Sequence, residues 1–302
     1  MFLFNSEISN WGDWGEIFQS VPSFLPIIEK IFKNEKLPFS NPENLNPGTN
    51  AVFKVGRYVV KIFAPAESGI DQSLDLKTEL FAVKRMKKSG IPAPALIAKG
   101  IIKDKYNFTY MITKYIKGMI FTEAVKNMTE KKKKSFGRKL RALTDKINTD
   151  CRPFNNIDVI NDKDSCGRWN KYCEEFKSQR AAYIKSHDFG RKVFVHGDLC
   201  SDNILVTPAG KIYLVDFADA VLAPKIYEHS LVAVELFELD KTLLSGYFGN
   251  YTHEELTEIC FNGLLIHDYG GDIINCHIDK AENIHSLDVL RTKLAQAVES
   301  SI

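Results

Sequence analysis

The run HGDLCSDNILVTPAGKIYLVDFAD, residues 196–219, decides how this chain is read. It follows the apolar residues Val193 to Val195 and holds two further strand-like runs, Ile204 to Val206 and Lys211 to Val215. Between those two, Thr207-Pro208-Ala209-Gly210 supplies turn-forming residues, so they read as a hairpin. The hairpin delivers Asp216 beside a polar loop that opens with His196 and contains Asp198 and Asn203.

Three oxygen-bearing groups in that order suit one chemistry. Moving a phosphoryl group from a Mg-nucleotide to a hydroxyl needs a carboxylate to accept or orient the hydroxyl proton, and oxygen ligands to hold Mg²⁺ against the phosphates. Taken singly, each residue is also an ordinary loop polar, because Asp and Asn favour turns for backbone reasons. The ordered set is what is specific.

His196-Gly197-Asp198, Asn203 five residues after the Asp, and then Asp216-Phe217 resemble the catalytic loop and metal-binding motif of the aminoglycoside phosphotransferase and choline kinase-like group. Protein kinases have His-Arg-Asp and Asp-Phe-Gly at the same places. The resemblance implies an α+β, two-lobed protein kinase-like fold, with a strand-rich N-lobe over residues 1–116 and a mainly helical C-lobe over residues 117–302. It makes Asp198 the catalytic base, Asn203 and Asp216 the Mg²⁺ ligands, and His196 a brace of the loop. The implied cofactors are ATP, with GTP as the alternative, and Mg²⁺.

Upstream, Pro47-Gly48-Thr49-Asn50 is a small polar turn ahead of Ala51 to Val55, and Gly56-Arg57 reverses the chain into Tyr58 to Phe63. Phe53 and Val55, then Tyr58, Val60 and Ile62, alternate as half-buried strands do. A loop on such a hairpin can lay N–H groups over phosphates, though a plain hairpin turn reads the same way. Gly48-Thr49-Asn50 is similar to the nucleotide-positioning loop of small-molecule kinases, without spelling GxGxxG.

Lys61 lies on the opposite parity from Tyr58, Val60 and Ile62, and a lysine between apolar strand residues must snorkel or find an anion. The resemblance assigns it the α/β-phosphates, with Glu79 as its partner. Leu76, Leu80 and Val83 mark an apolar helix face with Glu79 at its edge; a solvated helix glutamate is the alternative. After the break Gly90-Ile91-Pro92-Ala93-Pro94, Ala95 to Ile102 and Phe108 to Ile116 read as strands. By the resemblance, the hinge that bonds the adenine edge lies in Met111 to Ile116, including Thr113, Tyr115 and Ile116.

The remainder reads as helical. Phe136, Leu140, Leu143 and Ile147 recur behind Thr129 as an N-cap, and Trp169, Tyr172 and Phe176 share a helical face that suits core packing. Helical patterns follow around Glu228 to Gly246, Thr252 to His267 with a capping box, and Asp279 to Val298. Trp11, Trp14, Phe18 and Val21 suggest an amphipathic helix near the start.

Four carboxylates are candidates for the acceptor. Asp219 and Glu228 lie in a stretch, Asp216 to His229, that departs from the Gly-Asp-Pro and Asp-Leu pattern of the group; Glu228 reads either as a buried acid holding the catalytic loop or as a substrate contact. Asp268 and Asp272, in the polar interruption His267 to Asp272, suit the mouth of a pocket for a cationic molecule, or are exposed loop acids.

The chain's 302 residues suffice for two domains, and 44% hydrophobic with 26% charged residues is ordinary for a soluble globular enzyme. A net charge of +2 argues against a nucleic-acid or membrane partner, and the lysines Lys131 to Lys134 read as a solvated helix turn. Cys151, Cys166, Cys173, Cys200, Cys260 and Cys276 form no CxxC pair, which suits a reduced, cytoplasmic protein; Cys200 is either a packed or an oxidisable thiol. Met1-Phe2-Leu3-Phe4-Asn5 lacks a basic leader region, and no run reaches membrane-span length.

The expected activity is transfer of a nucleotide's γ-phosphoryl to a hydroxyl of a small, amine-bearing molecule such as an aminoglycoside or amino alcohol. A protein kinase is the first rival, but no Ala-Pro-Glu-type segment end follows Asp216. A catalytically silent, nucleotide-binding pseudokinase acting as an interaction module is the second, although no member of the phosphoryl-transfer set is missing.

Overall fold

The protein is described here from a computed structural model covering residues 2–46, 48–161 and 167–301. Pro47 of the expected phosphate turn and Cys166 lie outside the described residues. The chain divides into two compact units, Met1–Lys87 with Pro92–Gly118 and Tyr213–Ala218, and Lys88–Ile91 with Met119–Ile212 and Asp219–Ile302. The cut near Lys117 is therefore joined by a second feature: Tyr213–Ala218, with Asp216, groups with the first unit.

The first unit begins with helices α1 (Trp11–Ile17) and α2 (Val21–Asn34). Its sheet contains β1 (Glu43–Asn44), β2 (Ala51–Val55) and β3 (Tyr58–Ile62), then, after helix α3 (Ser73–Ser89), β4 (Leu96–Lys103) and β5 (Asn107–Lys114). The antiparallel order is β1-β2-β3-β5-β4. Alternation sorts the side chains: Phe53, Val60 and Ile112 are register partners and belong to one buried cluster with Phe4, Trp14, Phe24, Ile28 and Phe32. Val52, Lys61 and Met111, also partners, point to the other face. The sheet thus has an aromatic face under α1 and α2, and a second face that holds Lys61.

One amphipathic helix was expected around Trp11 to Val21, and two helices are found, because Ser20 caps a new one whose first turn contains Pro22. Proline is tolerated there since its missing N–H has no helical partner anyway.

The second unit opens with β6 (Met119–Ile120), α4 (Phe121–Val125) and α5 (Glu130–Ile147), the last capped by the Thr129 hydroxyl as expected. Helix α6 (Glu174–Ser186) follows. Only Phe176 of the three expected helix aromatics lies in it; Trp169 and Tyr172 sit on the preceding turns, and the three rings still pack together at 4.9–6.0 Å between centroids. Strand β7 (Lys192–Val195) leads into the loop that begins at His196, then β8 (Ile204–Val206), which pairs with β6, and β9 (Ile212–Leu214). Strand β10 (Val221–Pro224) returns antiparallel to β7.

The remaining helices are α7 (Lys225–Leu231), which continues as a π-helical turn over Val232–Leu236, α8 (Lys241–Tyr247), α9 (His253–Ile266), α10 (Gly270–His277) and α11 (Leu287–Ser301). The pattern read as one helix from Glu228 to Gly246 is broken because Glu238 and Leu239 take positive φ, after which Asp240 caps α8. The final pattern begins at Leu287 rather than Asp279. The polar interruption after His267 becomes a helix from Gly270: a Cβ at Gly270 would lie 1.9 Å from the Leu264 carbonyl oxygen, so the glycine permits close packing rather than breaking structure. The expected capping box at Thr252 and Glu255 is present. No described helix is long and apolar enough to cross a membrane.

Candidate active site

In the first unit the site is organised around Lys61. Strand parity sends its side chain to the face away from the aromatic core, where it is 8% exposed. Its ammonium donates to Glu79 Oε2 and to Asp216 Oδ1, both at 2.9 Å. Glu79 comes from the buried edge of α3, beside Leu80 and Val83. Asp216 occupies the left-handed region at φ 54°, which a short polar side chain tolerates better than most.

Burial works against the Lys61 charge, but Asp216 and Glu79 outweigh it and hold the ammonium above the ordinary lysine value. Burial pushes the Glu79 carboxyl up, opposed by Lys61 and reinforced by Asp216. Asp75, one turn earlier on α3, is raised as well by burial, which Lys61 opposes and Asp216 reinforces. Sequence reading missed Asp75, although its i, i+4 relation to Glu79 puts both on one helix face.

Gly48 and Thr49 are exposed, and Asn50 is buried at the entry to β2. The Thr49 carbonyl accepts a hydrogen bond from the Trp14 indole at 2.9 Å. Of the hinge candidates, Thr113 lies within β5, while Tyr115 and Ile116 follow it, all half-buried. The Tyr115 N–H donates to the Arg57 carbonyl and the Lys114 N–H to the Ala95 carbonyl, which fixes this segment against its neighbours.

In the second unit the loop expected to be catalytic is built on a buried carboxylate. Glu228, fully buried on α7, accepts from the His196 N–H at 2.5 Å, from the Gly197 N–H and from Asn148 Nδ2 at 2.9 Å. Asn148 Nδ2 also donates to the Phe194 carbonyl. Burial pushes the Glu228 carboxyl up to about 7 against the pull of these donors. Glu228 has no accessible surface and holds the backbone N–H groups at the head of the loop, the arrangement a structural acid would have.

Gly197 has φ 88°, and a Cβ there would lie 1.9 Å from the Asp219 carbonyl oxygen. His196 is likewise fully buried. Asn203 Nδ2 donates to the Asp198 carbonyl and to Asp198 Oδ2, both at 2.8 Å. This turns the Asn203 amide oxygen away from Asp198 and orients the carboxylate. The Cys200 thiol, 3.8 Å from Asp198 Oδ2, is pushed up to about 12 by burial and by that carboxylate, so it is held as a neutral thiol.

The acceptor candidates separate by their partners. Asp272 is paired with Arg168 at 3.0 Å and with Lys171, and Asp268 lies 3.5 Å from Arg168. Both carboxylates are therefore balanced by cations of their own chain. Asp219 is exposed and sits 3.5 Å from the Tyr269 hydroxyl. Burial raises the Tyr269 phenol, and Asp219 and then Asp198 raise it further, so these three share one field. Arg168 covers the Tyr269 ring at 4.1 Å. Tyr269, Arg168 and Asn148 were not singled out from sequence, since each acts through partners about 50 to 105 residues away.

The profile described as "Phosphotransferase enzyme family" (APH) matches residues 48–259. No curated protein sequence matches the chain significantly. Among solved structures, the streptomycin–ATP ternary complex of APH(2")-IIa aligns with TM-score 0.60 at 15% identity, over 87% of this chain and 97% of that one. The GDP complex of wild-type aminoglycoside 2'-phosphotransferase-IIIa gives 0.60 at 15%, over 92% and 99%. Choline kinase LicA from Streptococcus pneumoniae gives 0.54 at 17%, over 91% and 99%. The mixed α+β architecture is thus the protein kinase-like fold that these enzymes share, and because the matched segment spans most of its length, the chain belongs to the phosphotransferase enzyme family.

Proposed function

We propose that the protein transfers the γ-phosphoryl group of Mg-ATP to a hydroxyl of a small, amine-bearing molecule. The observation that supports this most is that every polar group the reaction needs is present in a suitable local setting: Lys61 between Glu79 and Asp216, and Asp198 oriented by Asn203. Asp198 accepts or orients the acceptor's hydroxyl proton. Lys61 holds phosphate oxygens, and Glu79 keeps Lys61 placed when Asp216 turns to other work. Gly48, Thr49 and Asn50 lie over the phosphates, and the segment containing Thr113, Tyr115 and Ile116 borders the base.

The donor chemistry fits Mg²⁺. Asp216 offers a carboxylate whose side chain is 45% exposed, and Asn203 has its amide nitrogen already spent on Asp198, leaving oxygen for a hard cation. Few protein ligands are needed, because Mg²⁺ keeps waters and takes phosphate oxygens. When bound, the ion neutralises charge on the phosphates; this chain's own residues then supply position and field.

Supporting an amine-bearing acceptor, Asp198 and Asp219 both place negative charge around the Tyr269 phenol. Among the described residues the cysteines are unbridged, which suits a reducing, cytoplasmic compartment.

The test is acceptor-stimulated release of ADP from Mg-ATP across aminoglycosides, choline, ethanolamine and homoserine. Turnover with one class, dependent on Mg²⁺, is the expected result. Nucleotide binding with no stimulation across a broad panel would favour a silent, nucleotide-binding interaction module instead.

A further inference from the structure

The N-terminal layer, residues 2–34, has no part in the chemistry described above, yet one of its side chains touches the nucleotide loop. Most of its polar tethers reach the β4–β5 turn: the Leu3 and Phe4 N–H groups donate to Asp104 at 3.0 and 2.9 Å, and the Ile8 N–H donates to the Tyr106 hydroxyl at 2.8 Å. Asn10 then caps α1 by accepting from the Asp13 N–H. Trp14 is different. Its ring is 1% exposed, edge-on to Phe24 at 5.8 Å and beside Phe18, while its indole N–H donates to the Thr49 carbonyl at 2.9 Å.

That bond orients one peptide. Trp14 belongs to the aromatic cluster, which lies on the sheet face of Phe53, Val60 and Ile112. The Thr49 carbonyl is therefore drawn toward this face. In a planar trans peptide the C=O and the following N–H point in opposite directions, and the described residues contain no cis bond. The Asn50 N–H accordingly points toward the other face, the one on which Lys61 meets Glu79. A buried indole held on three sides is a stiff post, so the peptide's direction is set before any ligand arrives.

We propose that Trp14 is a positioning residue for nucleotide binding, locking the Thr49–Asn50 peptide so that its N–H faces the phosphates; this rests on the kinase reading above. Loss of one such bond, at roughly 1 kcal/mol, corresponds to a few-fold to tenfold change in affinity. Trp14→Phe keeps an aromatic ring and removes the donor. Its KM and Kd for Mg-ATP should rise about three- to tenfold, with kcat and the acceptor KM within about twofold. Trp11→Phe, a ring of the same helix packed on the same core, serves as the control for general loosening.

Two readouts keep failure interpretable. Amide exchange at Asn50 in the nucleotide-free protein should quicken in Trp14→Phe and not in Trp11→Phe, whatever the enzyme's activity. In wild type, the indole ¹⁵N–¹H resonance of Trp14 should shift on saturation with Mg-ADP. If the two variants change nucleotide KM alike, or Trp14→Phe changes neither KM nor exchange at Asn50, the positioning role is wrong. If exchange quickens but wild type binds no nucleotide, the kinase reading fails and this assignment fails with it.

Discussion

The two halves of the candidate site are stabilised in opposite ways. In the first unit, Lys61, Glu79 and Asp216 satisfy one another as charges, so each can be redirected when a phosphate or a cation offers a better partner. In the second, the loop from His196 is fixed through its backbone, with the N–H groups of His196 and Gly197 donating to buried Glu228 and Asn148 securing both Glu228 and the Phe194 carbonyl. The first unit's ionised groups are held by other charges. Asp198 follows a backbone held by a buried carboxylate and a buried amide.

The contrast can be broken most severely at Lys61. Lys61→Met removes the cation that two carboxylates share, and kcat/KM should fall on the order of 10²- to 10³-fold, with weaker Mg-ATP binding by titration calorimetry. A loss confined to kcat would contradict the phosphate-holding role. The next effect concerns geometry. Gly197→Ala puts a Cβ 1.9 Å from the Asp219 carbonyl, so the loop must move by more than 1 Å; kcat should fall on the order of 10²-fold, while Kd for nucleotide changes little. Unchanged kcat would show that the loop does not rely on that close approach.

The smallest effect sharpens the contrast through pH. Burial raises the Glu228 carboxyl from 4.5 to about 7, so between those values the folded protein keeps a proton that the unfolded chain has lost. Stability contributed through this group therefore declines as pH rises through that window, by up to about 3 kcal/mol. Glu228→Gln does not titrate there. Chemical denaturation at pH 5 and pH 8 should show the stability gap between wild type and Glu228→Gln moving in the variant's favour at the higher pH. A gap independent of pH would mean that the carboxyl is charged throughout.

The same contrast explains what could be read from the sequence. β2 and β3 were legible because Phe53, Val55, Tyr58, Val60 and Ile62 alternate around a turn at Gly56, whose φ is 59°. Asp198, Asn203 and Asp216 were legible because local spacing alone sets their order. The brace at Glu228 was one of two open readings, since only its depth of burial separates a structural acid from a substrate contact. Helix α2 was hidden by Pro22 and Pro26, and α10 by Gly270 and Gly271, residues whose local preference is overridden by packing. The Arg168 pairing with Asp272 and the Trp14 bond to Thr49 span 104 and 35 residues and leave no periodic trace.

Under the proposed function Lys61 holds nucleotide and Asp198 serves the chemistry. The most direct measurement sets kcat beside nucleotide Kd for Asp198→Ala and Lys61→Met with one active acceptor. The prediction is that Asp198→Ala loses on the order of 10²- to 10⁴-fold in kcat with Kd within about twofold, whereas Lys61→Met loses in both. If Asp198→Ala turned over like wild type, or weakened nucleotide binding as much as Lys61→Met, the assignment of chemistry to Asp198 would be contradicted.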